Sequence, residues 1–67
     1  MKDTYYFHLA NENWIKATGT AADINRLFKL LDKLGGVQGW YAEKLYKADQ
    51  ALNPSLLPPP DSVLAIN

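Results

Sequence analysis

The fold of this chain is decided by residues 4–18, which read TYYFHLANENWIKAT. Residues 4–9 and 14–18 are rich in the aromatic and β-branched side chains that favour strands. Residues 10–13 between them supply turn formers, two of them asparagines. The sequence therefore predicts an N-terminal β-hairpin with strands at about 4–9 and 14–18.

The alternation of apolar side chains selects a register for this hairpin. A two-residue loop would place Phe7 opposite a lysine, which mixes apolar and charged side chains on one face. A loop of residues 11–13 instead pairs Leu9 with Ile15. It also pairs Phe7 with Ala17, so we expect this second register.

In that register Asn13 takes the left-handed position of a three-residue hairpin loop, a conformation that asparagine tolerates better than most residues. The hairpin then has two different faces. The apolar face carries Tyr5, Phe7, Leu9, Ile15 and Ala17. The outer face carries a mixed aromatic and polar set, Tyr6, His8, Trp14, Lys16 and Thr18.

A first helix is predicted over residues 21–34. Thr20 and Asp23 have the spacing of a capping box, in which each side chain accepts a hydrogen bond from the backbone N–H of the other residue. Gly35 and Gly36 supply the stop. Apolar side chains recur at helical spacing along one stripe, formed by Ile24, Leu27, Phe28, Leu31 and Leu34.

A second helix is predicted over about residues 38–52, antiparallel to the first. Its expected apolar stripe is Tyr41, Leu45, Ala48 and Leu52. Asn53-Pro54 blocks its extension, because the residue before a proline disfavours the helical conformation. The fold class is thus α+β, with the hairpin packed on two helices.

Residues 53–67 are expected to form an extended tail that packs back on the domain. Prolines 58–60 fix the backbone in an extended form and would lie level with residues 41–45. Stacking of these prolines on Trp40 or Tyr41 is the expected contact. Residues 62–66 are apolar and are predicted to add a third short strand to the hairpin.

The length and composition indicate one small domain. The chain has 67 residues, of which 48% are hydrophobic and 21% are charged, and this balance is typical of a folded protein. The core of a domain this small contributes only about 3–5 kcal/mol to the free energy of unfolding, unless disulfides, a metal or a partner add to it. The chain has no cysteine, so self-association is the remaining source of extra stability.

Charge and hydropathy restrict the class of partner. Seven basic residues balance seven acidic ones, so the strong positive field of most nucleic-acid binders is not expected. No stretch approaches the ~18 apolar residues that span a bilayer, and no signal-peptide pattern opens the chain. We expect a soluble cytoplasmic protein that does not bind membranes.

The sequence offers no catalytic set, no metal site and no cofactor motif. His8 is the only histidine, and zinc binding there would need scattered carboxylates. The glycine-rich residues 35–39 lack the spacing of phosphate-binding loops and read as a turn between helices. The same region weakly resembles a helix-turn-helix in pattern, which would use Gln38, Lys44 and Lys47 on DNA. We expect no enzyme activity and no small-molecule substrate.

Eight aromatic residues in 67 are more than a single small core easily hides. The outer hairpin face could be covered within the chain, could stack single-stranded bases, or could form a protein interface. We expect a non-enzymatic interaction module that binds a protein partner or a second copy of itself. Nucleic-acid binding through the outer face is the alternative. The expected partner-binding residues are Tyr6, His8, Trp14, Lys16 and Trp40.

Overall fold

The computed structural model describes residues 1–53 and 59–66. Along these residues the elements are β1 (Asp3–Leu9), β2 (Trp14–Gly19), α1 (Ala21–Leu34), β3 (Val37–Ala42), α2 (Glu43–Leu52) and β4 (Ser62–Ala65). The strands form one mixed sheet in the order β3-β1-β2-β4. The predicted α+β class and its N-terminal hairpin are confirmed.

The hairpin register differs from the predicted one by two residues. Phe7 lies opposite Ile15, not Ala17, and His8 lies opposite Trp14. The predicted faces nevertheless hold, because a shift of two residues leaves every side chain on the same side of a strand.

The difference in register originates in the hairpin loop. Glu12, not Asn13, has the left-handed conformation, with φ of 72°. The Leu9 amide donates to the Asn13 carbonyl at 2.8 Å, and the Glu12 amide donates to the Leu9 carbonyl at 3.0 Å. The loop therefore consists of three residues as expected, but they are residues 10–12.

Helix α1 begins and ends where the sequence predicts. The Asp23 amide donates to the Thr20 hydroxyl at 3.2 Å, and the Thr20 amide donates to the Asp23 carboxylate at 3.4 Å. At its C-terminus, the Gly36 amide donates to the Leu31 carbonyl at 3.1 Å. The predicted stripe packs on the sheet except for Leu34, which is exposed.

Residues 37–42 correct the prediction of a helix over 38–52. They form strand β3, which pairs antiparallel with β1 and places Tyr41 opposite Tyr6 and Trp40 opposite Phe7. Valine, tryptophan and tyrosine all favour strands, and a glycine at 39 disfavours a helix. Helix α2 consequently starts at Glu43.

The two predicted helices are both present, but they pack on opposite faces of the sheet and not against each other. Helix α1 covers the face that carries Phe7, and α2 covers the face that carries Tyr6. The residue that α2 buries is Tyr46. The predicted α2 stripe is wrong, since Leu45 and Leu52 are exposed.

Strand β4 confirms the predicted third strand on the hairpin, and it runs parallel to β2. Asp61 attaches it: the Trp14 amide donates to the Asp61 carboxylate, and the Asp61 amide donates to the Trp14 carbonyl, both at 2.8 Å. Residues 54–58 lie outside the described residues, and with them the predicted stacking of Pro58. Neither described helix has the length and apolar character needed to cross a membrane.

Candidate functional site

The five residues predicted to bind a partner do not form one surface. Tyr6 and Trp14 are each 4% exposed beneath α2, and His8 and Lys16 lie half-buried on the same face. Trp40 lies on the opposite face, because it pairs with Phe7. Of the alternatives that the sequence left open for the outer hairpin face, coverage within the chain is the one observed for Tyr6 and Trp14.

An aromatic cluster fills the space between α2 and the sheet. We call it the α2-face cluster; its members are Tyr6, Trp14, Tyr41 and Tyr46. The Tyr6 and Tyr46 rings stack with their centres 3.7 Å apart and their planes 3° apart. The Trp14 ring packs 5.7 Å from Tyr46 and 5.8 Å from Tyr41. These rings stack on one another, so this face offers no open platform of Tyr6 and Trp14 for bases.

Lys16 takes part in the same packing. Its ammonium lies 3.8 Å from the Glu43 carboxylate at the start of α2 and 6.0 Å from the centre of the Tyr6 ring. A half-exposed ion pair of this length contributes little stability. It links strand β2 to the first turn of α2.

His8 and Glu12 form a polar group at the tip of the hairpin. The His8 ring stacks on Trp14 at 4.4 Å, and its Nε2 lies 3.2 Å from a Glu12 carboxylate oxygen. Gln38 donates to the other Glu12 oxygen at 2.7 Å and to the Leu9 carbonyl at 2.9 Å. Hydrogen bonds from Gln38 and then His8 lower the pKa of Glu12.

The position of Gln38 comes from an irregularity in strand pairing. Leu9 pairs with Val37 and His8 pairs with Gly39, so Gln38 is an extra residue in β3. Such a bulge redirects a side chain. Here it turns Gln38 towards the hairpin loop, so this polar group joins β3 to the hairpin and has a structural role.

The open site lies on the other face, between the N-terminal half of α1 and strands β1 and β3. We call it the aromatic groove. It encloses about 290 Å³. Its lining residues are Asp3, Tyr5, Phe7, Ala21, Ile24, Asn25, Phe28 and Trp40.

Three rings shape the aromatic groove. The Trp40 ring centre lies 6.1 Å from that of Tyr5 with the planes inclined by 57°. It lies 6.4 Å from the Phe28 ring, with the planes at 87°. Trp40 is 57% exposed, whereas Ile24 beneath the groove is buried. The groove is thus an apolar recess with an accessible tryptophan at its edge.

The secondary structure explains why these rings meet. Asp3 and Tyr5 are alternate residues of β1 and point to the α1 face, as does Phe7. Trp40 projects beside them because β3 pairs with β1. Phe28 comes from the apolar stripe of α1.

Sequence reasoning named Trp40 and missed Tyr5 and Phe28 as its neighbours. The signal that could have revealed this is the β-forming composition of residues 37–42. Read as a strand, that segment would have paired Trp40 with the apolar face of the hairpin.

A second hollow of about 510 Å³ lies at the C-terminal end of α1. Its lining residues are Leu9, Ala10, Asn11, Leu31, Leu34, Gly35 and Gly36. None of these residues has an ionisable or aromatic side chain. The hollow therefore has fewer groups that could recognise a particular ligand than the aromatic groove has.

Across residues 1–53 and 59–66, no three histidine, cysteine, aspartate or glutamate side chains lie close enough to hold one metal ion. The weak helix-turn-helix pattern around Gly35 does not form either, because residues 37–42 are a strand. Comparisons with protein-family models, curated proteins and solved structures found no match to this chain.

Proposed function

We propose that this protein is a non-enzymatic, cytoplasmic interaction module that binds a protein partner through the aromatic groove. The exposure of Trp40 carries the proposal. Tryptophan is among the residues most enriched where proteins bind one another, and the best of these anchors lie beside pockets.

The contrast between the two sheet faces supports this assignment. On the α2 face the aromatic rings cover one another, and Tyr6 and Trp14 are buried. On the α1 face Trp40 stays accessible next to a recess with an apolar floor. A side chain inserted there would bury its own apolar surface and that of Trp40 together.

A second copy of the chain is one candidate partner. The domain is small and has no cysteine, and association would add apolar burial that it otherwise lacks. Its edge strand β4 also exposes Val63 and Leu64. An edge strand with exposed apolar side chains is a natural point for association between chains.

Site-specific photo-crosslinking tests the proposal. The crosslinking residue p-benzoylphenylalanine replaces Trp40 in one variant and Lys33 in a matched control. Lys33 is exposed on α1 but belongs to neither its apolar stripe nor the groove. We expect a discrete adduct from position 40 that is absent from position 33, formed in cells that make the protein.

Competition with unlabelled protein shows whether the adduct depends on Trp40. If the partner is a different protein, excess wild-type protein should suppress the position-40 adduct, whereas excess Trp40→Ala protein should not. An adduct of twice the chain mass identifies a second copy, and sedimentation equilibrium should then show a dimer that Trp40→Ala weakens at least tenfold. Equal adducts from both positions, or an adduct that the Trp40→Ala competitor also removes, would refute binding through the groove.

A further inference from the structure

The chemistry of the aromatic groove identifies the kind of side chain that it accepts. We propose that it binds the methylated ammonium group of a lysine on the partner protein. This inference rests on the proposed function, since it names the group of the partner that enters the groove.

The ring geometry is the first argument. The Trp40 ring is nearly perpendicular to that of Phe28 and oblique to that of Tyr5, and all three residues line the groove. The electron-rich face of an aromatic ring attracts a cation within about 6 Å, and tryptophan does so most strongly. Several rings around one space are the arrangement that recognises quaternary and methylated ammonium groups.

The charge of the lining is the second argument. Asp3 is the only charged side chain among the described residues that line the groove, and it is negative. Asn25 adds a neutral polar group at the same site. A cation entering the groove meets a complementary carboxylate and no competing lysine or arginine of the lining. An anion would face Asp3 and the ring faces, both of which repel it.

The volume lies at the lower limit for ligand sites, which suits a small group such as a methylated ammonium. Sites for whole drug-sized ligands begin at roughly 300 Å³, and the groove is just below this size with about 290 Å³. A flexible methylene stem can lie along the open side of the groove while its headgroup occupies the recess.

Methylation is favoured because of the apolar floor. An unmodified ammonium is strongly hydrated, and burial against Phe7 and Ile24 would remove that water without enough hydrogen-bond acceptors to replace it. Methyl groups replace the N–H donors while the positive charge stays. The methylated form therefore keeps its attraction to the rings and loses less hydration.

Nuclear magnetic resonance titration tests this inference on the intact protein. The readout is the indole N–H signal of Trp40, assigned by its loss in Trp40→Ala. The probes are Nα-acetyl-trimethyllysine amide, the unmodified lysine analogue, and a neutral analogue that carries a tert-butyl group in place of the trimethylammonium. We expect the trimethylated probe to bind at least tenfold more tightly than either of the other two.

Variants separate the roles of the rings and the carboxylate. Trp40→Ala should weaken the trimethylated probe at least tenfold, and Asp3→Asn should weaken it several-fold and reduce its salt dependence. Leu45→Ala, on the exposed side of α2, should leave binding unchanged. Trp40 is largely exposed, so its alanine variant should fold, and its unfolding transition verifies this.

Three results would overturn the inference. One is equal binding of the neutral and cationic probes, and another is no shift of the Trp40 signal with any probe. The third is free choline binding tenfold more tightly than trimethyllysine, which would point to a small molecule instead of a partner's side chain. If position 40 still crosslinks to a protein, the proposed function survives these results; if it does not, both proposals fail.

Discussion

Tyr46 is the side chain through which α2 attaches to the sheet. It is 2% exposed, its ring stacks on that of Tyr6, and it packs edge-to-face with the ring of Trp14. Its neighbour Leu45 is 60% exposed, although leucine is the more hydrophobic residue. Position on the helix, not hydrophobicity, decides which of the two is buried.

Replacement of Tyr46 by alanine should remove the main contact of α2 with the sheet. We expect Tyr46→Ala to lower the free energy of unfolding by about 3–5 kcal/mol, as large-to-small changes of buried aromatic residues do, which would leave the variant largely unfolded even without urea. The matched control Leu45→Ala should change it by less than about 1 kcal/mol. Urea denaturation followed by circular dichroism measures both, and similar losses in the two variants would mean that α2 is rotated from the position described.

The buried phenol of Tyr46 also predicts how stability depends on alkaline pH. Burial, and then the neighbouring Tyr6, raise the pKa of Tyr46 above its usual value of 10.0. Above about pH 10 the phenol loses its proton in the unfolded chain but keeps it in the folded chain. Unfolding therefore releases a proton, and the free energy of unfolding falls as pH rises. Below that pH the phenol is neutral in both states and its contribution is constant.

The measurement is the unfolding free energy at several pH values between 8 and 11. We expect a steeper alkaline loss for the wild type than for Tyr46→Phe, which keeps the ring and has no proton to release. Parallel curves for the two proteins would show that Tyr46 ionises equally in the folded and unfolded states.

At the scale of elements, the connection from α1 to β3 decides which way the chain turns after the helix. Gly36 has a φ of 98°, in the region that L side chains avoid, whereas Gly35 has an extended φ of 178°. The Gly36 carbonyl then accepts from the Ala10 amide at 3.0 Å, which starts the pairing of β3 beside β1. The two adjacent glycines therefore have different roles.

Alanine substitution at each glycine separates these roles. Gly36→Ala should lower stability by about 1–2 kcal/mol, because a Cβ strains the left-handed conformation. Gly35→Ala should have an effect within about 0.5 kcal/mol, since its extended backbone suits alanine and no atom beyond the neighbouring residues lies within 4 Å of the added Cβ. Thermal and urea unfolding of both variants test this difference, and equal effects would contradict it.

At the scale of the whole molecule, the C-terminal strand closes the sheet. Strand β4 adds to β2 from 47 residues away in sequence, and Asp61 makes the first two hydrogen bonds of this pairing with Trp14. The sheet thus lies between α1 on one face and α2 on the other, with β4 at its edge.

The Asp61 carboxylate should contribute measurably to this closure. We expect Asp61→Ala to lower stability by about 1.5–3 kcal/mol, the range for hydrogen bonds to charged groups, and to speed hydrogen exchange at the Trp14 amide. Asp61→Asn should retain much of the stability, because its amide oxygen can still accept from Trp14. If the asparagine variant is as unstable as the alanine variant, the negative charge itself is what matters.

Local sequence determined those elements whose capping, turn and strand-forming residues are close together in the chain. The capping residues Thr20 and Asp23 and the glycines after Leu34 fix α1 at both ends, because a helix end is satisfied by its immediate neighbours. The two faces of the hairpin follow from alternation. The exact register does not, since either of two three-residue loops keeps apolar residues on one face and the observed one places Glu12 in the left-handed position.

Only the tertiary structure decided the second half of the fold and the candidate site. The composition of residues 37–42 favours a strand, but the spacing of their apolar side chains also suits a helix, and pairing with the free backbone edge of β1 selects the strand. That choice moves Trp40 to the α1 face and leaves Tyr46 to cover Tyr6 and Trp14. The hairpin near the start of the sequence therefore provides both faces. Which residues cover each face depends on contacts of the hairpin with strands and helices that are distant in the chain, and these contacts are set by the tertiary structure.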